Sequence, residues 1–145
     1  MRRRDMFRSV LAAGGVLLGS RVTQAATSRA ARQKVAYHLS DLDKVNFVLG
    51  NIKNHYEGTG GDVDIVLVVH GPALAAFKSK GISAAVSGRF AGLVRQGLEA
   101  QACAKTMQGM DISLADLLDG FHAADSGGVV KLAQLQSQGY AYLRP

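Results

Sequence analysis

The chain is poor in the residues that staple or stiffen small proteins. Its 145 residues include one cysteine, two prolines and no tryptophan. A lone cysteine excludes an internal disulfide framework, so stability has to come from packing. No long apolar run is present either. The most hydrophobic N-terminal stretch, Ser9 to Ser20, is rich in glycine and alanine and falls short of the roughly 18 residues a membrane span needs. No ligands repeat at the spacing of two to five residues that marks a strong zinc motif, and no Walker or dinucleotide fingerprint occurs. A serine-hydrolase elbow and a paired-carboxylate glycosidase site are absent as well. Internal repeats and low-complexity tracts are also missing.

What is present begins with an export signal. Arg2, Arg3 and Arg4 precede Met6-Phe7, then the apolar run, then "VTQAATS". This is the charged, apolar and cleavage order of a secretory signal, and Arg3-Arg4 with Met6-Phe7 is similar to the twin-arginine type. Residues 1–25 are therefore read as the signal, with cleavage after Ala25 or Ala26, and the periplasm is the expected location. Membrane attachment is expected only through an uncleaved signal. Residues 26–33 read as a flexible lead-in and 34–145 as one domain. Five arginines and one acid lie in residues 1–25, so of the whole-chain charge of +6 the remaining 120 residues carry only about +2. The remaining bases are scattered, and no nucleic-acid surface is expected.

The rest alternates short β-like runs with helical stretches. Lys34–Leu39 is a first strand, and Ser40 with Asp43 forms a capping-box-like pair opening a helix. Val45, Val48, Leu49, Ile52 and Tyr56 fall on one helical stripe. Val63–Val69 is nearly continuously apolar, as a strand covered on both faces is. Pro72 suits the first turn of a following helix. Residues 80–85 read as a loop, and Ser87 as the cap of a helix stopped by Gly97. Leu98–Cys103 is a third strand, followed by helical turns at 104–108 and at 113–118, the latter with Ser113 and Asp116 as a second capping-box-like pair. Gly120–Ala124 is a weak fourth strand. A helix over 128–137 places Val129, Leu132 and Leu135 on one stripe, and Tyr140–Leu143 is the last strand. This β-α alternation implies a parallel sheet with helices on both faces.

In such folds ligands bind outside the carboxyl ends of the strands. His38, His70 and Cys103 all sit at such ends, with His122 less surely placed. A thiol at the start of a helical turn is acidified by the peptide dipoles and by a nearby cation, here Lys105. From the residues alone the opposite reading of Cys103, as a small buried hydrophobe, is the stronger one. His70 orients or activates the thiol if their strands are neighbours; otherwise it is a strand-end histidine bonded to a carbonyl. His38 carries the same pair of readings, and His55 reads as a solvated helix-end residue. A metal held by His38, His70 and Cys103 suits imidazole and thiolate, but no ligand spacing supports one, and none is assigned. "DSGGVVKLAQL" offers amides at a helix start to an anion, with Asp125 or Ser126 as the ordinary cap.

The segments "VAYHLSD", "LGNIKNHYE", "VLVVHGPAL", "LEAQACAKTM" and "DLLDGFHAADSGGVVKLAQLQSQGYAYLRP" together resemble the DsrE/DsrF-like family of sulfur-relay proteins, from about Lys34 to Pro145. The "VVHG" strand end, the "AC-x-x-T" turn and the "LQ-x-x-GYAY" tail are the most specific pieces. The resemblance implies a three-layer α/β/α fold with a five-stranded, mainly parallel sheet, trimers or hexamers, and no cofactor. It implies a persulfide on Cys103; the reading of the residues adds His70 to orient or deprotonate the thiol, Lys105 to favour its anion and Thr106 to offer a hydroxyl. His38, Gly71 and Ser126 are the candidate ligand-binding positions, and a sulfur donor or acceptor protein is the implied partner. The chain departs from the sulfur-relay members in looking exported. Whether it is an enzyme stays open: a sulfurtransferase-like protein with a cysteine nucleophile stands against a non-catalytic oligomeric module binding a small ligand or metal at the strand-end cleft.

Overall fold

The computed structural model describes residues 31–145; the signal assigned to residues 1–25, its cleavage point and most of the lead-in lie outside them. Among the described residues no helix is long and apolar enough to cross a membrane. Five strands, β1 (Gln33–Leu39), β2 (Val63–Val69), β3 (Glu99–Cys103), β4 (Phe121–Ala124) and β5 (Ala141–Leu143), form one sheet in the order β4-β3-β2-β1-β5. Every pairing is parallel. The chain is thus an α/β protein with an all-parallel five-stranded sheet.

The topology explains which face each helix takes. From β1 to β4 the chain steps in one direction, through α1 (Val45–Gly58), a 3-10 helix (Gly71–Phe77), α2 (Ala84–Arg95) and α3 (Ala104–Gly109). It then returns through α4 (Gly128–Ser137) to place β5 on the far side of β1. Right-handed crossovers running in opposite directions must lie on opposite faces. Among the described residues α4 is therefore alone on its face, a more lopsided arrangement than helices shared between both faces.

The crowded face holds the main core. The α1 stripe of Val45, Val48, Leu49, Ile52 and Tyr56 is buried as its spacing predicts, against Val35, Tyr37, Ile65 and Leu67 of the sheet. Phe77, Phe90 and Phe121 close the other end, with ring centroids 4.9–5.4 Å apart. The α4 face has a small core of Ala36, Val66, Val68, Leu132 and Leu135. Val129, expected on that stripe, is instead 69% exposed, because Gly128 turns inward at the helix start.

Several local readings need correction. Ser40 does not cap a helix: its carbonyl accepts the Ala73 N–H at 3.1 Å, which keeps this link extended, and a 3-10 turn over Leu42–Lys44 precedes α1. α2 begins within the supposed loop, capped by the Ser83 hydroxyl, which accepts the Val86 N–H at 3.2 Å. Ser87 lies inside the helix and bonds back to the Ala84 carbonyl. α4 is capped by Gly127, not by Asp125 or Ser126. The Ser113–Asp116 capping box is present as read.

Candidate functional site

Side chains alternate across a strand, and this alternation sorts the candidates. Ala100 and Ala102 of β3 face the main core, so Cys103 faces α4. Val66 and Val68 face α4, and His70 follows in the same phase. Ala36 does likewise and carries His38 with it. Because β3, β2 and β1 are consecutive neighbours in register, the three groups stand side by side at the carboxyl ends, on the sparsely covered face.

Glycine makes that assembly possible. A Cβ on Gly128, the first residue of α4, would stand 3.2 Å from the His70 Cβ and 3.3 Å from the Cys103 Cβ. Only a residue without a side chain lets the helix start approach both. Cys103 is itself the N-cap of α3, with extended backbone. Burial alone would raise its thiol. The Thr106 hydroxyl and the backbone N–H groups of Gly128, Thr106 and Lys105 outweigh burial and hold the thiol below its ordinary value. Thr106 is aimed by a further contact: its oxygen accepts the Gly71 N–H at 2.9 Å, which leaves its own proton for the sulfur. Gly71 presents that N–H from a left-handed conformation, φ +61°, which glycine adopts at little cost.

The imidazoles form a chain. His38 Nε2 and His70 Nε2 are 2.5 Å apart, and His38 Nδ1 is 2.6 Å from the Tyr142 hydroxyl. The rings are stacked, with centroids 4.6 Å apart. Burial, then the neighbouring His70 and the Arg144 charge, push His38 down to about 4, against an opposing pull from Asp41. Burial and Arg144 also lower His70. Both shifts favour the neutral rings.

The seven sequence candidates thus divide. Cys103, Thr106, Gly71, His70 and His38 are brought together. Lys105 contributes its backbone N–H to the sulfur. Ser126 lies exposed in the turn before α4 and does not cap it. Cys103 is 6% exposed, less open than a cleft shared by all three strand ends implies. Tyr142 escaped sequence reading as a site residue, because its reach to His38 depends on β5 lying beside β1. Gly128 was legible only as part of a glycine pair. His55 is not merely solvated: its Nδ1 is 3.0 Å from the Tyr37 hydroxyl and its Nε2 is 3.1 Å from Gln33 Oε1. His122 is exposed on β4.

Among the described residues no group of three or more His, Cys, Asp or Glu side chains is arranged to hold a metal ion. A groove of about 440 Å³ lies on the opposite face, between α1 and the tail, lined by Tyr37, Asn51, Asn54, His55 and Arg144 among others. It does not include the thiol.

No family model matches the chain, and no curated protein matches it. Solved structures do. The protein of unknown function MTH1491 from Methanobacterium thermoautotrophicum is similar at 25% identity and a TM-score of 0.70, over 78% of this chain and 99% of that one. The ychN protein from E. coli is similar at 18% identity and 0.58, over 78% and 99%. The conserved protein of unknown function BT1422 from Bacteroides thetaiotaomicron follows at 14% and 0.52, over 81% and 99%. The chain therefore shares a whole-domain α/β fold with these proteins.

Proposed function

We propose that this chain is an exported sulfur-handling protein of the DsrE/DsrF-like kind, in which Cys103 carries sulfane sulfur as a persulfide. The observation that carries the reading is the placement of the sulfur: Cys103 is the N-cap of α3 and the start of α4 comes down on it at Gly128, where the Thr106 hydroxyl and the backbone N–H groups of Gly128, Thr106 and Lys105 favour its anion. The thiolate is the nucleophilic form of cysteine. It attacks the outer sulfur of a donor persulfide or polysulfide. A sulfur–sulfur bond forms at Cys103, the donor's sulfur–sulfur bond breaks, and the donor leaves as a thiolate with the electron pair. No external oxidant or reductant enters. The persulfide so formed is again an anion and fits the same donors.

Periplasmic location and a trimeric or hexameric assembly belong to the same reading. The assembly is supported by the exposed edge strand β5 and by exposed Val129, Val130, Tyr142 and Leu143, since open strand edges need cover. Light scattering at micromolar concentration tests it, and a monomer contradicts it. A sulfur donor or acceptor protein would be the partner.

Intact mass after incubation with polysulfide is the test of function. The expected result is a gain of one or more sulfur atoms, reversed by a reductant and absent from Cys103→Ser. No gain, or equal gain by the variant, removes the proposal. The burial of Cys103 favours a second reading, a non-catalytic oligomeric module in which the thiol only packs. Under that reading the native thiol takes up no sulfur and alkylates only after unfolding.

A further inference from the structure

β5 has little to hold it. The strand is three residues long and exposed throughout, and among the described residues its strand neighbour is β1 alone, over Val35–Tyr37. None of its residues belongs to either apolar core; Tyr140, just before it, packs partly against the smaller one. Beyond the pairing with β1, the strand is fastened by side-chain ties near its end. The Tyr142 hydroxyl is 2.6 Å from His38 Nδ1. Arg144 Nη2 donates to Ser40 Oγ at 2.9 Å and lies 3.3 Å from Asp41 Oδ2. Elements with little buried apolar surface open locally, ahead of the fold as a whole. The strand also covers something. His38 is buried, with the Tyr142 ring tilted against it at a centroid distance of 5.7 Å, and its Nε2 meets His70 Nε2 at 2.5 Å. Leu143 and Arg144 wall the groove of about 440 Å³ on the other face. We infer that β5 and the two residues after it are an acid-released strap, closed over the His38–His70 pair at neutral pH and opened as protons bind the imidazoles it covers. The inference stands apart from the role of Cys103 and needs no contact with it.

The closed strap is a poor surrounding for an imidazolium. It shields His38 from water and sets the Arg144 charge near both rings. Burial, then His70 and Arg144, hold His38 down to about 4, with Asp41 pulling the other way. Burial and Arg144 also lower His70. Lifting the strap removes Arg144 and returns water to the ring. The open form therefore binds a proton at a higher pH, up to the ordinary value of about 6.5. Protons go to the open form first, and the closed form is lost as pH falls from about 6.5 to about 4. The interval between these values limits the shift that one proton on His38 can cause to roughly 300-fold. A second proton acts in the same direction. With both rings charged, each Nε2 carries a hydrogen and neither can accept one, so the 2.5 Å contact is lost.

Other charges near the pair are few. Arg144 and Asp41 act on both rings and pair with each other at 3.3 Å. The 3-10 helix Gly71–Phe77, which follows His70, has no ionisable side chain. β3 and α3 bring Cys103 and the stem of Lys105, which lies against Gly127. The amino end of α4 brings Gly128, Val129 and Val130, and no charge before Lys131.

The test is amide hydrogen exchange of the native chain, residue by residue, at about pH 7 and about pH 4.5, inside the interval over which the closed form is lost. Protection is taken relative to the unstructured rate at each pH. The amides of β5 are expected to be protected at neutral pH, though less than those of β2. In acid they are expected to lose about tenfold or more of that protection, within the limit set by His38, while β2 stays well above β5. Tyr142→Phe keeps the ring and removes only the hydroxyl. It is expected to lower β5 protection at neutral pH by about fivefold, the contribution of one hydrogen bond, and to leave β2 unchanged. His38→Gln keeps a polar group beside the Tyr142 hydroxyl but takes no proton, and is expected to abolish most of the acid loss. Arg144→Gln is expected to weaken the strap at neutral pH and to shrink its acid loss, because the charge that opposed the proton is gone. Assembly across β5 raises its protection at both pH values and leaves the acid loss dependent on His38. A β5 unprotected at neutral pH, equal protection at the two pH values, or loss by β5 and β2 in step overturns the strap. So does an undiminished acid loss in His38→Gln, or, should that variant not fold, in Arg144→Gln.

Discussion

The two faces of the sheet do different work. One is covered by α1, α2 and α3 and filled by a large apolar core that includes three mutually packed phenylalanines. Among the described residues the other is covered by α4 alone, whose Leu132 and Leu135 pack on Ala36, Val66 and Val68 of the sheet. Cys103, His70, His38 and the start of α4 belong to the second face, and Thr106 joins them from α3 just beyond the strand ends. A thin layer leaves room at its edge for polar groups and lets a helix start come down onto a sulfur atom. A thick one stabilises the sheet that holds those groups in register. Substitutions on the two faces are accordingly expected to separate stability from thiol chemistry.

The largest effect is expected from Phe77→Ala, at a residue that is fully buried. Removing it costs about 3–5 kcal/mol, read by denaturant unfolding, while the thiol midpoint of the protein that remains folded stays that of wild type. A shift in that midpoint would break the separation. Gly128→Ala sharpens it from the other side. Its new methyl meets two β-carbons at 3.2 and 3.3 Å, neither of them the far end of a flexible chain. A cost of about 1–3 kcal/mol is expected, with the thiol midpoint moving up as the Gly128 N–H is pushed from the sulfur. Thr106→Val removes one hydroxyl and leaves the Gly71 N–H without its acceptor. A loss of about 1 kcal/mol is expected, again with a raised thiol midpoint, and Thr106→Ser is expected to restore it. A further effect concerns acid. His38 is pushed down to about 4 in the fold, against about 6.5 in an unfolded chain. The unfolded state therefore binds the extra proton first, and stability is lost as pH falls from about 6.5 to about 4, then levels off. His38→Gln is expected to flatten that stretch of the stability profile, measured by denaturant midpoints across it.

How much of this was legible in the sequence varied with the range of the interaction. β2 (Val63–Val69) and α4 (Gly128–Ser137) match their expected bounds, because a β-branched run and a glycine-bounded helical period are local signals. Cys103 and Thr106 could be paired from their spacing, since both lie on one turn. The wrong caps have a common cause. Ser40 and Ser87 satisfy the local rule, but the Ser40 carbonyl is taken by the distant Ala73 N–H, and Ser83 competes with Ser87 for the same helix. Lys105 was read as a charge, and its backbone N–H also reaches the sulfur, which a residue letter does not say. Tyr142 needed the strand order. Nothing in the sequence places β5 beside β1, and only that neighbour relation brings the phenol to His38.

The central claim is that the sulfur of residue 103 is held as an anion by the N–H groups and hydroxyl around it. The most direct measurement is the rate of native thiol alkylation as a function of pH, compared with that of the unfolded chain. The account predicts a native midpoint below that of the unfolded thiol. A native midpoint at or above it would contradict the account.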